Sequence, residues 1–370
     1  MAEKNTLKYK PEEISPPGAT LADLLEERDV SQASLAKRMG RPKKTVNEII
    51  RGVAAITPET ALQLEKVFGM PARFWLNRER QYREFLAKRE DEKSLAGMTE
   101  WAKQFPISQM VKWGWIVKEK TPVGLTRELL EFFSVTSPQA HEDIWDSAQV
   151  AFRRSKAGRT DFFALTAWLR KGEIEGESVS CNTFDRTAFR AALPELRKLT
   201  LAEPQVFQFR MQEICAKCGV AVVFVPELPK IGAWGATRWM SPNKALIQLS
   251  LRNKYEDFMW FAFFHECGHV LLHKKKKLFV DFDNSTVDEL DEDAEQEAND
   301  FAADTLIPPV QYRSFRDNGV YTAASIRKFA ADLGITPGIV VGRLQHDGFV
   351  PWSKFNRLKQ KLIWTFTDKN

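Results

Sequence analysis

One buried turn of helix constrains this chain more than any other feature. The pentapeptide His265-Glu266-Cys267-Gly268-His269 follows the apolar run Phe258-Met259-Trp260-Phe261-Ala262-Phe263-Phe264 and precedes Val270-Leu271-Leu272. Apolar residues on every face over about 18 positions specify a helix inside a core. Imidazoles and a carboxylate are costly there unless something pairs with them. The spacing supplies a partner. Residues four apart on a helix share a face, so both imidazoles can reach one metal ion. Glu266 lies beside them, placed to take a proton from an attacking water. The pattern points to zinc, one ion per chain, with Glu266 as the catalytic base. The competing reading is a chance HExxH in a structural helix.

Two histidines leave a catalytic zinc short, since such sites have three protein ligands and an open position. His273 cannot complete the set with His265, because eight residues separate them by ~12 Å along the axis. The metzincin extension is absent, with Leu272 and Lys275 where Gly and His would stand. A carboxylate downstream remains. In Glu295-Gln296-Glu297-Ala298-Asn299-Asp300-Phe301-Ala302, continuing to Pro308, the residues Ala298, Phe301, Ala302 and Leu306 make a helical apolar stripe. Glu295 is the favoured third ligand. Asn299, one turn on, is expected to steady that ligand from behind. Glu297 points to another face. The plainer alternative assigns these acids to the solvated run Asp288 to Glu297. For oxyanion stabilisation the candidates are His346 and Tyr312, each against a heavier expectation of a structural role.

Val220 to Pro308 resembles the ImmA/IrrE zinc metallopeptidases. The matching features are the β segments Val220-Ala221-Val222-Val223-Phe224-Val225 and Ala245-Leu246-Ile247-Gln248-Leu249, then FHECGHVLLH and EQEANDFAADTLIP. Members commonly carry Leu where Cys267 stands, a position expected to face away from the metal. The resemblance implies a gluzincin-like fold, with a small sheet packed on the active-site helix and the third ligand on the next helix. It also implies the substrate: a repressor or antitoxin protein whose cleavage releases transcription. Fusion in one chain adds self-cleavage as an option.

Near the N-terminus, Pro16-Pro17-Gly18 reads as a turn before a helix that begins near Thr20. Ser31 is a natural N-cap and Gly40 a natural stop for the next helix. A further helix opens at Pro42. Short helices around a Gly-containing turn make a helix-turn-helix. Arg41, Lys43, Lys44, Thr45 and Asn47 cluster in the half of the second motif helix that meets base edges, and Arg51 follows. The plainer alternative is a helical bundle with a basic solvated face. Residues 16–82 resemble the HigA-like branch of the Xre repressors in Gln32, Leu35, Ala36 and Gly40, in Ile56-Thr57-Pro58-Glu59-Thr60-Ala61 and in Phe74-Trp75-Leu76. That resemblance implies an antitoxin or autoregulating repressor. It would bind double-stranded operator DNA, its own promoter, as a homodimer, with Gln32 among the contacts and a toxin as a further partner.

A length of 370 residues suits two or three domains. The expected division is 1–84 for the helix-turn-helix domain, 85–215 for a helical linker or sensor, and 216–370 for the metallopeptidase domain. The fold class is mainly α with a small α+β domain. The net charge of +5 permits nucleic-acid binding without requiring it. Cys215 and Cys218 form a lone CxxC, better read as packed helical cysteines than as half a zinc site. No run of roughly eighteen apolar residues marks a membrane span, and the polar N-terminus lacks a signal pattern, so a cytoplasmic protein is expected. Between the motifs, Trp101, Trp113, Trp115, Phe132, Phe133, Trp145, Phe152 and Trp168 fall at helix-like spacing and read as core. Lys171 to Ser180 reads as an exposed loop, and Lys274 to Lys277 as a solvated one.

Two functions remain. One is a DNA-binding regulator fused to a zinc endopeptidase. The other is a non-catalytic, antitoxin-like repressor whose peptidase-like module senses or binds a partner.

Overall fold

The computed structural model describes residues 14–146, 160–275, 278–282 and 289–364, and Phe152 lies outside them. The chain divides into two compact units, Met1–Gly97 and Met98–Asn370.

The first unit is helical: α1 (Pro17–Glu27), α2 (Gln32–Met39), α3 (Lys43–Ile50), α4 (Pro58–Phe68) and α5 (Ala72–Gly97). Leu21, Leu35, Val46, Leu64 and Trp75 make its core. Ser31 caps α2 by accepting from the Ser34 amide, and Gly40, at φ 63°, ends it in the left-handed region. One expectation needs correcting. Pro16-Pro17-Gly18 is not a turn, because Pro17 occupies the first helical position of α1. Gly18 lies inside α1 because α3 crosses there: a Cβ on it would sit 2.0 Å from the Ile49 carbonyl oxygen.

The second unit begins with α6 (Thr99–Ala102), α7 (Ile107–Lys112), α8 (Pro122–Phe133), α9 (Pro138–Ile144), α10 (Phe162–Ser178), α11 (Arg186–Lys198) and α12 (Pro204–Lys217). Strands β1 (Val220–Phe224), β2 (Ala233–Ser241) and β3 (Lys244–Leu249) follow. Then come α13 (Glu256–Leu272), β4 (Phe279–Phe282), α14 (Glu289–Leu306), α15 (Pro309–Asp317), α16 (Ala323–Leu333) and α17 (Pro337–His346). The sheet runs β1-β3-β2-β4. Only β1 and β3 pair in parallel. A parallel pair needs cover on both faces. The alternation along β3 provides for it: Ala245, Ile247 and Leu249 join the core around α13, while Leu246 and Gln248 meet α10.

That packing overturns the expected loop at Lys171 to Ser180. Gly172 and Gly176, inside that stretch, are close-approach positions on α10. A Cβ on Gly172 would meet the Gln248 side chain, and one on Gly176 would meet Leu246 and Met240. The amide of Gln248 donates to the Trp168 carbonyl at 2.7 Å. Arg170–Glu173 and Lys171–Glu175 pairs support the helix on its wetter side. Among the described residues no helix is long and apolar enough to cross a membrane.

Candidate metal centre and nucleic-acid interface

Helix α13 is buried almost throughout, and His265, Glu266 and His269 are at most 1% exposed. Gly268 lets the next helix come close. A Cβ there would lie 3.1 Å from Ala298 Cα on α14. Three residues before Ala298, Glu295 therefore reaches both imidazoles. Its Oε2 is 3.2 Å from His265 Nε2 and its Oε1 is 3.5 Å from His269 Nε2. The two Nε2 atoms are 2.9 Å apart. Ligands ~2.0–2.1 Å from a tetrahedral zinc would be separated by about 3.3 Å. The three separations bracket that value, so the residues fit a metal ion. Behind His265, the Nδ1–H donates to Asn299 Oδ1 at 3.0 Å, which turns Nε2 toward the other two atoms. Asn299 thus steadies His265 and not Glu295.

Glu266 lies between this site and the sheet, with a carboxylate oxygen within 4.8 Å of a His265 ring nitrogen. A Cβ on Gly235 of β2 would lie 2.5 Å from its Oε1, so only glycine leaves room for the carboxylate. The Thr237 hydroxyl donates to the Glu266 backbone carbonyl at 3.3 Å. Both carboxylate oxygens are buried without a hydrogen-bond partner among the described residues. Asp281 on β4 comes within 4.8 Å of His265 and Glu266. Sequence reasoning missed it, because a strand as short as Phe279–Phe282 carries too little pattern to place.

The charges are strongly coupled in the metal-free site. Burial disfavours a charged His265, but Asp281, Glu295 and Glu266 outweigh it and lift its pKa to about 9. Burial drives His269 down to about 4 against the pull of Glu295. Glu266 is raised by burial to about 8, with His265 opposing. Glu295 is also disfavoured by burial, yet the bonds from His265 and His269 hold it near 2. Two carboxylates that flank His265 are thus pushed in opposite directions, the arrangement in which one binds and the other moves protons.

Beyond Asn299 lies a cavity of about 400 Å³ lined by Phe258, Phe261, Leu306, Ile339, Arg343 and Trp352. His346 sits at its rim, largely exposed, with Nδ1 3.1 Å from Asp347 Oδ1. It is not one of the atoms that converge around Glu295. The Tyr312 hydroxyl donates to Asp347 Oδ2 at 2.7 Å, and burial raises its pKa. His273 and Glu297, set aside as ligands, are found bonded to each other at 3.2 Å.

In the helical unit, Lys43, Lys44 and Arg51 are exposed on α3 and just after it. Gln32, Thr45 and Asn47 are half-buried, and Asn47 Nδ2 donates to Gln32 Oε1 at 3.4 Å. Arg41 is engaged with α4: its Nε donates to Gln63 Oε1 at 2.6 Å, and Glu59 is 3.7 Å away.

Comparison with known proteins gives two domain matches. Residues 21–75 match the helix-turn-helix family model. Residues 240–345 match a peptidase family model, the IrrE N-terminal-like domain. An uncharacterized HTH-type transcriptional regulator, YddM of Escherichia coli (strain K12), is 36% identical over 61 residues, 16% of this chain. The chain spans 65% of that relative, just under two thirds. Among solved structures, a HigA-family addiction module antidote protein from Coxiella burnetii is 35% identical, with a TM-score of 0.22, covering 23% of this chain and 92% of its own. The Pseudomonas aeruginosa antitoxin HigA, solved with the higBA promoter, is 32% identical, with a TM-score of 0.22, covering 22% and 90%. The chain therefore joins a helix-turn-helix domain of the Xre type to an IrrE-like peptidase domain.

Proposed function

We propose that the protein is a cytoplasmic operator-binding regulator whose second unit is a zinc-dependent endopeptidase acting on a repressor or antitoxin protein, its own chain included. One observation carries this reading. Three ligand-type atoms converge at metal-site separations on one side of α13, and beside His265 stands a buried carboxylate with no hydrogen-bond partner among the described residues. His265, His269 and Glu295 would hold the ion. A bound zinc supplies Lewis acidity, making water acidic near neutral pH and polarising the peptide carbonyl. Glu266 takes the proton of the attacking water and passes it to the leaving amine. Asn299 fixes the His265 ring, and the buried walls keep bulk water from weakening these charges. The cavity beside Phe261 gives a side chain of the substrate somewhere to lie. The test is to incubate the zinc-loaded protein with candidate repressors and follow intact mass. New fragments that disappear with chelator support the reading, and unchanged masses under every tested condition oppose it.

Metal uptake should expel a proton. Zinc takes only neutral imidazole, whereas His265 is lifted to about 9 in the metal-free site and is protonated at pH 7. At least one proton should therefore leave per zinc at pH 7, and Glu266, raised to about 8, adds to it if zinc binding ionises it. Affinity should rise with pH until His265 is neutral without the metal. Calorimetry in buffers of different ionisation enthalpy measures this, and pH-independent affinity between 6 and 8 would contradict it.

For the first unit, the proposed contacts are Gln32, Arg41, Lys43, Lys44, Thr45, Asn47 and Arg51, presented by a homodimer to its own promoter. Lys43 and Lys44 are exposed and suit phosphate. Their joint replacement by Ala should weaken operator binding and lower the salt slope by about 0.9 for each phosphate no longer neutralised. An unchanged slope would remove both from the interface.

A further inference from the structure

We propose that His273 and Glu297 are positioning residues that fix the protonation direction of His269. The inference rests on the reading of His265, His269 and Glu295 as metal ligands. Neither residue belongs to that trio, and each is held in a specific place. Helix α13 stops at Leu272, and His273 takes an extended backbone, φ −106° and ψ 169°. Its amide still donates to the His269 carbonyl at 3.2 Å, so its ring folds back over the preceding turn. There His273 Nδ1 lies 2.9 Å from His269 Nδ1. His273 Nε2 lies 3.2 Å from Glu297 Oε2. Phe279 of β4 closes the arrangement from above. Its ring stacks on His269 at 4.1 Å between centroids and lies 5.3 Å from His273.

With a neutral His273, the carboxylate at the outer end sets the direction of both hydrogen bonds. A carboxylate can only accept, so His273 Nε2 must carry a hydrogen. A neutral His273 then has its lone pair on Nδ1. The short Nδ1–Nδ1 contact therefore needs the hydrogen on His269 Nδ1. That leaves the lone pair of His269 on Nε2, the atom that faces His265 Nε2 and Glu295. Reversing the first bond would put a hydrogen on His269 Nε2 and block it as a ligand. Glu297, two hydrogen bonds removed from the ligand atom, thus selects the tautomer that can bind metal. His265 obtains the same service directly from Asn299. An outer partner that accepts from the far imidazole N–H is a general device for holding a metal-binding histidine. Here it spans two side chains, and the outermost is 64% exposed.

Exposure makes the test discriminating. If Glu297 only helped to pack the surface, removing it would leave metal affinity alone. Zinc affinity is measured on the full-length protein by competition with a chromogenic chelator. The metal-free melting temperature is recorded for each variant. His273→Ala should weaken zinc binding by roughly 10–100-fold. Glu297→Ala should weaken it in the same direction, and Glu297→Gln should restore part of the loss, since the amide oxygen still accepts. The double variant His273→Ala/Glu297→Ala should bind no more weakly than His273→Ala, because a relay is broken only once. The cobalt-loaded form should show a changed visible spectrum in both single variants. Wild-type affinity in Glu297→Ala, or strictly additive losses in the double variant, would overturn the relay. Should His273→Ala fail to fold, Glu297→Ala and Glu297→Gln still decide. His269→Ala is the control. If it binds zinc as the wild type does, the metal-centre reading fails; if it loses zinc while both outer variants keep it, only the relay fails.

Discussion

Glu295→Ala should lose zinc during a chelating wash that leaves the wild type loaded. Among the described residues, Glu295 is the one outside α13 seen to reach both Nε2 atoms, at 3.2 and 3.5 Å. Alanine leaves two imidazoles on one helix, too few for a catalytic zinc. The affinity should fall by more than the roughly 10–100-fold that follows loss of an outer partner. The fold should survive. The α13–α14 contact is built by Gly268, Ala298 and Phe301, and Glu295 is itself partly exposed. Elemental analysis reads the outcome. Full occupancy in the variant would mean that another group completes the site. Asp281 is then the first to test, because it lies with His265 and Glu266 in the neighbouring cluster.

Glu266→Gln should keep its metal and its fold but lose peptide cleavage. Glutamine matches the shape that Gly235 leaves open. It also removes a carboxyl that burial disfavours as a charge, with a pKa of about 8 in the metal-free site. Stability should therefore hold or rise, since burial disfavours the carboxylate and its oxygens have no hydrogen-bond partner within reach among the described residues. The amide cannot accept and return a proton. Proton transfer of this kind contributes ~10²–10⁴-fold, about 3–5.5 kcal/mol of barrier. Promoter binding should not change, because the residue lies in the other unit.

Much of the candidate site was legible because it rests on local spacing. HExxH on an all-apolar helix placed His265, Glu266 and His269 together, and the Ala298–Ala302–Leu306 stripe oriented Glu295 toward them. The caps at Ser31 and Gly40 delimited α2 for the same reason. What was not legible depends on contacts between distant segments. Gly172 and Gly176 look like helix breakers until Gln248 and Leu246 are known to press against them. Pro17-Gly18 looks like a turn until α3 is seen crossing α1. Asp281 reaches the site by the antiparallel pairing of β4 with β2, which no spacing in the sequence announces. The His273 ring meets His269 at Nδ1, the far side from the Nε2 atoms that converge with Glu295. Its bond to Glu297 depends on how α13 ends, and helix ends are read poorly from sequence.

The central claim is that this chain cuts a peptide bond with Glu266 as its base. It is tested most directly by assaying wild type and Glu266→Gln together for zinc content and for cleavage of the same repressor, by elemental analysis and intact mass. The account predicts one zinc per chain in both proteins and fragments from the wild type alone. Equal cleavage by both would remove Glu266 from the chemistry, and regulation of the target by both without any cleavage would leave a binding module in place of a peptidase.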